Sequence, residues 1–159
     1  MGTGKTSIGR QLAKIKRWRF VDLDDRIEEK EKRGIPDIFA KDGETYFRKI
    51  EKQVLKEISL GEDLVIACGG GIVIQKENIE LMKATGKIIC LTSSAEAILK
   101  RTSRFINRPL LNVADPKAKI ESLLKERAEY YALADITVDT SSLTVKEAAE
   151  KLSELIPVS

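Results

Sequence analysis

Met1-Gly-Thr-Gly-Lys-Thr-Ser-Ile-Gly-Arg10 opens the chain, and its Gly4-Lys5-Thr6 core is the end of a phosphate-binding loop. A loop of backbone N–H groups at a helix N-terminus favours phosphate through hydrogen bonds and the helix dipole. Lys5 is placed to reach β- and γ-phosphates, and the Thr6 hydroxyl to ligate a divalent cation. The full pattern G-x-x-x-x-G-K-[ST] needs another glycine two positions before Met1, with a hydrophobic strand ahead of it. By itself GKT is about as compatible with a chance Gly/Lys tail, so the rest of the chain decides.

Working outward, strand and helix signals alternate. Ile8, Leu12 and Ile15 recur at helical spacing after the loop. Arg19-Phe-Val21 reads as a short buried strand leading into Asp22-Leu-Asp24, and Asp25–Gly34 as a charged helix stopped by Gly34. Pro36 opens a short turn, and Gly43 precedes a longer helix whose Phe47, Ile50, Val54 and Ile58 form one apolar stripe. Asp63-Leu-Val-Ile-Ala-Cys68 is a continuous apolar strand ending in Gly69-Gly-Gly71, a run typical of a parallel sheet covered on both faces. A helix near Glu77–Ala84 stops at Gly86, and Lys87–Thr92 is another strand. Ser93-Ser-Ala-Glu96 fits a capping box for a helix towards Arg101. Pro116 starts a long helix to about Tyr131, Asp135–Asp139 is the last strand, and Thr144 caps a final amphipathic helix. The alternation predicts an α/β fold, a three-layer α/β/α domain with a mainly parallel sheet, whose ligands bind beyond the carboxyl ends of the strands. GKT, the Asp22/Asp24 pair and the glycine run all fall at such ends.

Composition narrows the chemistry. A length of 159 residues suits one domain, and 42% hydrophobic with 33% charged residues suits a folded globular chain. A net charge of +3 spread among acidic neighbours does not point to nucleic acid. There is no apolar run of membrane-spanning length. With no histidine and only two distant cysteines, zinc sites and Ser–His or Cys–His catalysis are set aside, and the natural compartment is a reducing one. Cys68 and Cys90 read as small core residues. Carboxylates, Lys, Arg, hydroxyls and a bound ion must carry the chemistry.

Each motif has a plainer reading. Asp22-x-Asp24 places two carboxylates on one face of an extended segment, yet N-capping by Asp22, Asp24 or Asp25 is as common. Arg48 and Arg127 sit close to apolar stripes, where snorkelling or salt bridges to Glu51 or Glu126 are usual. Three glycines directly after a buried strand more often mean close approach of a ligand to the backbone.

Taken together, MGTGKTSIGRQLA, FVDLDDRIE, IFAKDGETYFRKIE, VIACGGGIV, NRPLL and LLKERAEYYALAD, in this order, resemble the shikimate kinase family of small P-loop kinases. The ordered set D-x-D, G-E-x-x-F-R, G-G-G, R-P-L-L and R-x-x-x-Y is far more specific than GKT. The resemblance implies a P-loop NTPase fold of five parallel strands, with the first, central strand and the first loop glycine expected to be missing here. It implies a single domain, 1–159, with a substrate-binding segment at about 24–58 and a lid at about 102–115. It implies ATP and Mg²⁺, held by Gly2, Thr3, Gly4, Lys5 and Thr6, with Asp22 supporting the metal through water and Arg101 packing against adenine. Asp24 would bind shikimate hydroxyls and accept the proton of the 3-hydroxyl. Arg48 and Arg127 would clamp the carboxylate, Gly69, Gly70 and Gly71 would bring backbone donors to the ring hydroxyls, and Arg108 would swing in over the transferring phosphoryl group. It further implies a cytoplasmic monomer that engages neither nucleic acid nor membrane. Related gluconate kinases, or a nucleotide-binding fragment without turnover, are the alternative readings. Lys14–Trp18, where the family often has a glycine, is a local loop change.

Overall fold

Short aliphatic strands that must be buried on both faces and helices with one apolar stripe can satisfy each other only by layering. The computed structural model describes residues 2–102 and 114–156. In chain order it contains α1 (Lys5–Lys16), β1 (Arg19–Asp22), α2 (Leu23–Glu31), α3 (Ile35–Ile58), β2 (Leu64–Ala67), a 3₁₀ turn (Ile72–Ile74), α4 (Lys76–Thr85), β3 (Ile89–Thr92), α5 (Ala95–Thr102), α6 (Pro116–Tyr131), β4 (Ile136–Asp139) and α7 (Val145–Leu155).

All strand pairing is parallel. β1 pairs with β2, Arg19 opposite Leu64 through Asp22 opposite Ala67. β3 pairs with β4, Ile89 opposite Ile136 through Thr92 opposite Asp139. Among the described residues β2 and β3 are not laddered to each other, so the sheet layer consists of two two-stranded parts. A shared helical layer spans them: Ile8 and Leu12 of α1 pack with Ala148, Ala149 and Leu152 of α7, and Val65 of β2 joins Ile89 and Leu91 of β3 against that cluster. On the other side Leu23, Ile27, Ile38, Phe47, Ile50, Val54 and Leu55 form the largest core. Leu23, Ile27 and Ile38 are fully buried, each stabilising the fold by about 1.5–3 kcal/mol relative to exposure.

Several local expectations shift by a few residues for identifiable reasons. α2 begins at Leu23, so Asp22 and Asp24 are not alternating strand residues; Asp24 lies in the first helical turn. α2 is ended by Lys32, in a left-handed conformation (φ 54), and Gly34 instead precedes α3 as its N-cap. Gly43 does precede a longer helix: its φ 79 and ψ 176 break α3 into two helical halves, and a β-carbon there would meet nothing within 4 Å. Ser94, not a Ser93/Glu96 box, caps α5 by accepting from Ala97 N at 3.2 Å, while Glu96 pairs with Lys117. The box at α7 forms in full between Thr144 and Glu147. Ile15 of the first helical stripe is exposed.

Candidate active site

The carboxyl ends of β1 and β2 converge on the N-terminus of α1. Gly4 caps that helix with φ 91, a conformation that only glycine adopts without strain, so that Lys5 and Thr6 start the first turn. Gly2 is also left-handed, and a β-carbon there would strike Ile98 and Thr102 of α5. The loop is thereby tied to α5 and to the end of β4. Arg101 Nη1 donates to the Thr3 carbonyl, Ser93 Oγ and Thr140 Oγ1, and its Nη2 to the Thr140 carbonyl at 2.5 Å. Thr140 Oγ1 also donates to the Thr3 carbonyl at 3.1 Å.

Asp22 performs two tasks. Its Oδ1 accepts from Asp24 N at 3.1 Å, capping α2, and its Oδ2 accepts from the Thr6 hydroxyl at 3.0 Å. The capping and metal-site readings of this residue are therefore compatible. Two hard oxygen donors side by side at a phosphate loop fit Mg²⁺, which takes one or two protein oxygens and completes its shell with water and phosphate. Among the described residues no cluster of three His, Cys, Asp or Glu side chains could hold a metal.

The glycine run forms the floor of the opposite end, and each glycine admits a different group. A β-carbon on Gly69 would stand 3.7 Å from Asp24 Oδ1 and 4.0 Å from Glu51 Oε1. One on Gly70 would meet Arg127 Nη1 at 3.1 Å and Tyr131 Oη at 2.7 Å, and one on Gly71 would overlap the Arg48 guanidinium. Tyr131 Oη donates to the Gly70 carbonyl at 3.3 Å. Asp24, Glu51, Arg48 and Arg127, from α2, α3 and α6, thus gather over one strand-to-turn connection. Glu51 was legible only as a partner for Arg48; its 1% exposed side chain makes it an integral part of the site, accepting from Arg48 Nη1 at 2.7 Å. Its sequence signal was a carboxylate one position past the buried Ile50. Arg127 makes no ion pair with Glu126 or any other carboxylate among the described residues.

Burial dominates the electrostatics here. It raises the Asp24 carboxyl above its ordinary value, with Lys5 pulling back and Asp22 pushing further up. Burial likewise raises Glu51, against the opposing pull of Arg48. Burial would lower the Arg48 guanidinium, but hydrogen bonds and charges of Glu51 and Glu44 outweigh it and hold it above normal. The same burial, reinforced by Glu51 and Asp24, pushes the Cys68 thiol up to about 12, which makes it an inert neighbour. Arg108 lies outside the described residues, as does most of the segment 102–115.

A glycine loop at the start of the first helix, a Thr6–Asp22 pair beside it and a cluster of carboxylates and arginines over Gly69–Gly71 fit a P-loop kinase fold. Comparison with known proteins narrows the class. A family model described as shikimate kinase matches residues 1–157. A shikimate kinase of Thermodesulfovibrio yellowstonii is 44% identical over 152 residues, 96% of this chain and 88% of that protein. One of Caldanaerobacter subterraneus subsp. tengcongensis is 41% identical over 96% of this chain and 89% of its own. The structure of Acinetobacter baumannii shikimate kinase in complex with shikimate superposes with a TM-score of 0.92 at 41% identity, covering 98% of this chain and 87% of that one. The chain belongs to the shikimate kinase family.

Proposed function

We infer that the chain transfers the γ-phosphoryl group of ATP to the 3-hydroxyl of shikimate, giving ADP and shikimate 3-phosphate, a step of aromatic amino-acid biosynthesis. The observation that carries the reading is the gathering of Asp24, Glu51, Arg48 and Arg127 on Gly69–Gly71, facing Lys5 at the phosphate loop.

Phosphoryl transfer needs positioning and charge neutralisation rather than a covalent protein intermediate. Gly2, Thr3, Gly4, Lys5 and Thr6 cradle the triphosphate, and the positive N-terminus of α1 and Lys5 face its outer oxygens. Thr6 and Asp22 would hold Mg²⁺, which would supply further neutralisation when bound. Arg101 braces the nucleotide end through Thr3 and Thr140, beside which adenine packs. At the other end Arg48 and Arg127 take the acceptor carboxylate; planar guanidinium forks suit that group better than ammonium ions. Gly69, Gly70 and Gly71 leave the ring room against the backbone. Asp24 accepts a hydrogen bond from the 3-hydroxyl and then its proton as the oxygen attacks phosphorus; its raised basicity suits that role. The resemblance assigns Arg108 to the transferring phosphoryl oxygens and the segment 102–115 to a lid that excludes water.

The family resemblance supports a cytoplasmic enzyme that acts as a monomer and a single domain, without nucleic acid. Among the described residues no helix is long and apolar enough to cross a membrane. The test is a coupled ADP-release assay with shikimate, gluconate and nucleoside monophosphates as acceptors. Turnover confined to shikimate is expected; turnover only on gluconate would overturn the reading, because that acceptor offers no ring to seat on the glycine floor.

A further inference from the structure

The two arginines at the acid end are in different states. Arg127 has no carboxylate partner among the described residues, whereas Arg48 holds two. The two partners of Arg48 also differ. Glu51 is 1% exposed and grips Nη1 at 2.7 Å, so it is a fixed part of the floor. Glu44 is 63% exposed, and its single Oε1 accepts from both Nε (3.3 Å) and Nη2 (3.1 Å). That oxygen covers the Nε/Nη2 edge of the guanidinium, the edge a planar acid would otherwise use in a two-pronged pair. The Arg48 side chain is itself only 16% exposed, with Gly71 behind it, so its own freedom to turn towards a new partner is small.

We propose that Glu44 is a resident stand-in for the substrate carboxylate, holding the Nε/Nη2 edge of Arg48 until the acid displaces it, and thereby setting the affinity for the acid. The inference rests on the reading of Arg48 as a carboxylate clamp. Three features make the exchange inexpensive. Charge is conserved at Arg48, since one carboxylate replaces another. Glu44 follows the Gly43 kink, so it lies in the first turn of the second half of α3, where the helix dipole favours a carboxylate after it lets go. Its exposure means that water receives the released group, whereas Glu51 could not leave without stranding a buried charge. The occupied edge has a second consequence: a neutral acceptor of the same shape has nothing with which to displace Glu44, so its affinity does not depend on that residue.

The experiment measures acceptor affinity calorimetrically for the unaltered chain, Glu44→Gln and Glu44→Ala. Three probes are used: shikimate, its methyl ester, and cyclohex-1-ene-1-carboxylate, which has the ring acid without hydroxyls. The expected result is roughly 1.5- to fivefold tighter binding of both acids by each variant, the range set by an exposed ion pair, with the methyl ester unmoved and the KM for ATP unmoved. Weaker acid binding in the variants would overturn the proposal and make Glu44 a residue that orients Arg48. An equal gain for the ester would overturn it too. Failure of shikimate turnover by the unaltered chain would sink the functional reading alone, since the hydroxyl-free acid still reports on competition for Arg48.

Discussion

The two ends of the site are built by opposite means. At the phosphate end, backbone conformation does the organising. Gly2 and Gly4 are left-handed, Thr6 is held by Asp22, and Arg101 is bound to carbonyl and hydroxyl oxygens, with no carboxylate ion pair among the described residues. At the acid end, buried charges do it, with Asp24, Glu51 and Arg48 packed around a floor that has no side chains. On the proposed reading the first arrangement would bind whatever presents phosphate, and the second would match one pattern of hydroxyls and a carboxylate and so carry selectivity. Desolvation accompanies that selectivity, raising both carboxyls.

The sharpest way to break the contrast is Asp24→Asn. Loss of the proton acceptor should lower kcat by about 10²–10⁴-fold while ATP affinity is retained. The same change should stabilise the fold at neutral pH. A carboxyl raised by burial binds more protons folded than unfolded, so its contribution is present below its unfolded pKa and lost as pH rises through the raised one. The variant escapes that loss, and thermal unfolding should move to higher temperature. Full turnover, or an unchanged Tm, would count against a base raised by burial.

Next in size, Arg48→Lys and Arg127→Lys should each raise the KM for shikimate by roughly 10- to 100-fold, the worth of one charge-assisted fork, with ATP KM little affected. Equal effects on both substrates would show that the ends are not separable. Thr6→Val makes the converse cut: the hydroxyl that bonds Asp22 is lost, ATP KM should rise roughly tenfold or more, and more Mg²⁺ should be needed for half-maximal rate, with shikimate affinity preserved in calorimetry. In the pH profile, the acid limb of kcat/KM should lie above the ordinary aspartate value of 3.8, because Asp24 must be ionised to accept the proton. Activity falling only below that value would contradict the raised carboxyl. The smallest effect on turnover belongs to Gly43→Ala: a β-carbon meets nothing within 4 Å, but φ 79 with ψ 176 is a conformation essentially confined to glycine, a stability cost of about 1–3 kcal/mol. Chemical denaturation measures it.

The two ends were also unequally legible in the sequence. Gly4-Lys5-Thr6 and Gly69–Gly71 could be read directly, because a left-handed cap and a floor without β-carbons both require glycine at fixed places. The parallel pairing could be anticipated from alternation alone, since βα units and parallel strands imply each other. What was hidden involved contacts far apart in the chain. Arg101 and Thr140 are 39 residues apart, and no local pattern announces that a helix arginine will join the loop to the last strand. Glu51 looked like one more solvated helix acid, because its burial depends on the approach of Gly69 from another element. The assignment of Asp22 and Asp24 to one extended face failed for a local reason: the Asp22 carboxylate caps a helix that starts immediately after it.

The most direct measurement is ³¹P and ¹H NMR of the products after incubation with ATP, Mg²⁺ and shikimate. The account predicts one new phosphomonoester, coupled to the proton on carbon 3, with ADP formed in equal amount. A phosphate on another hydroxyl, or ADP released without any phosphorylated acid, would contradict it.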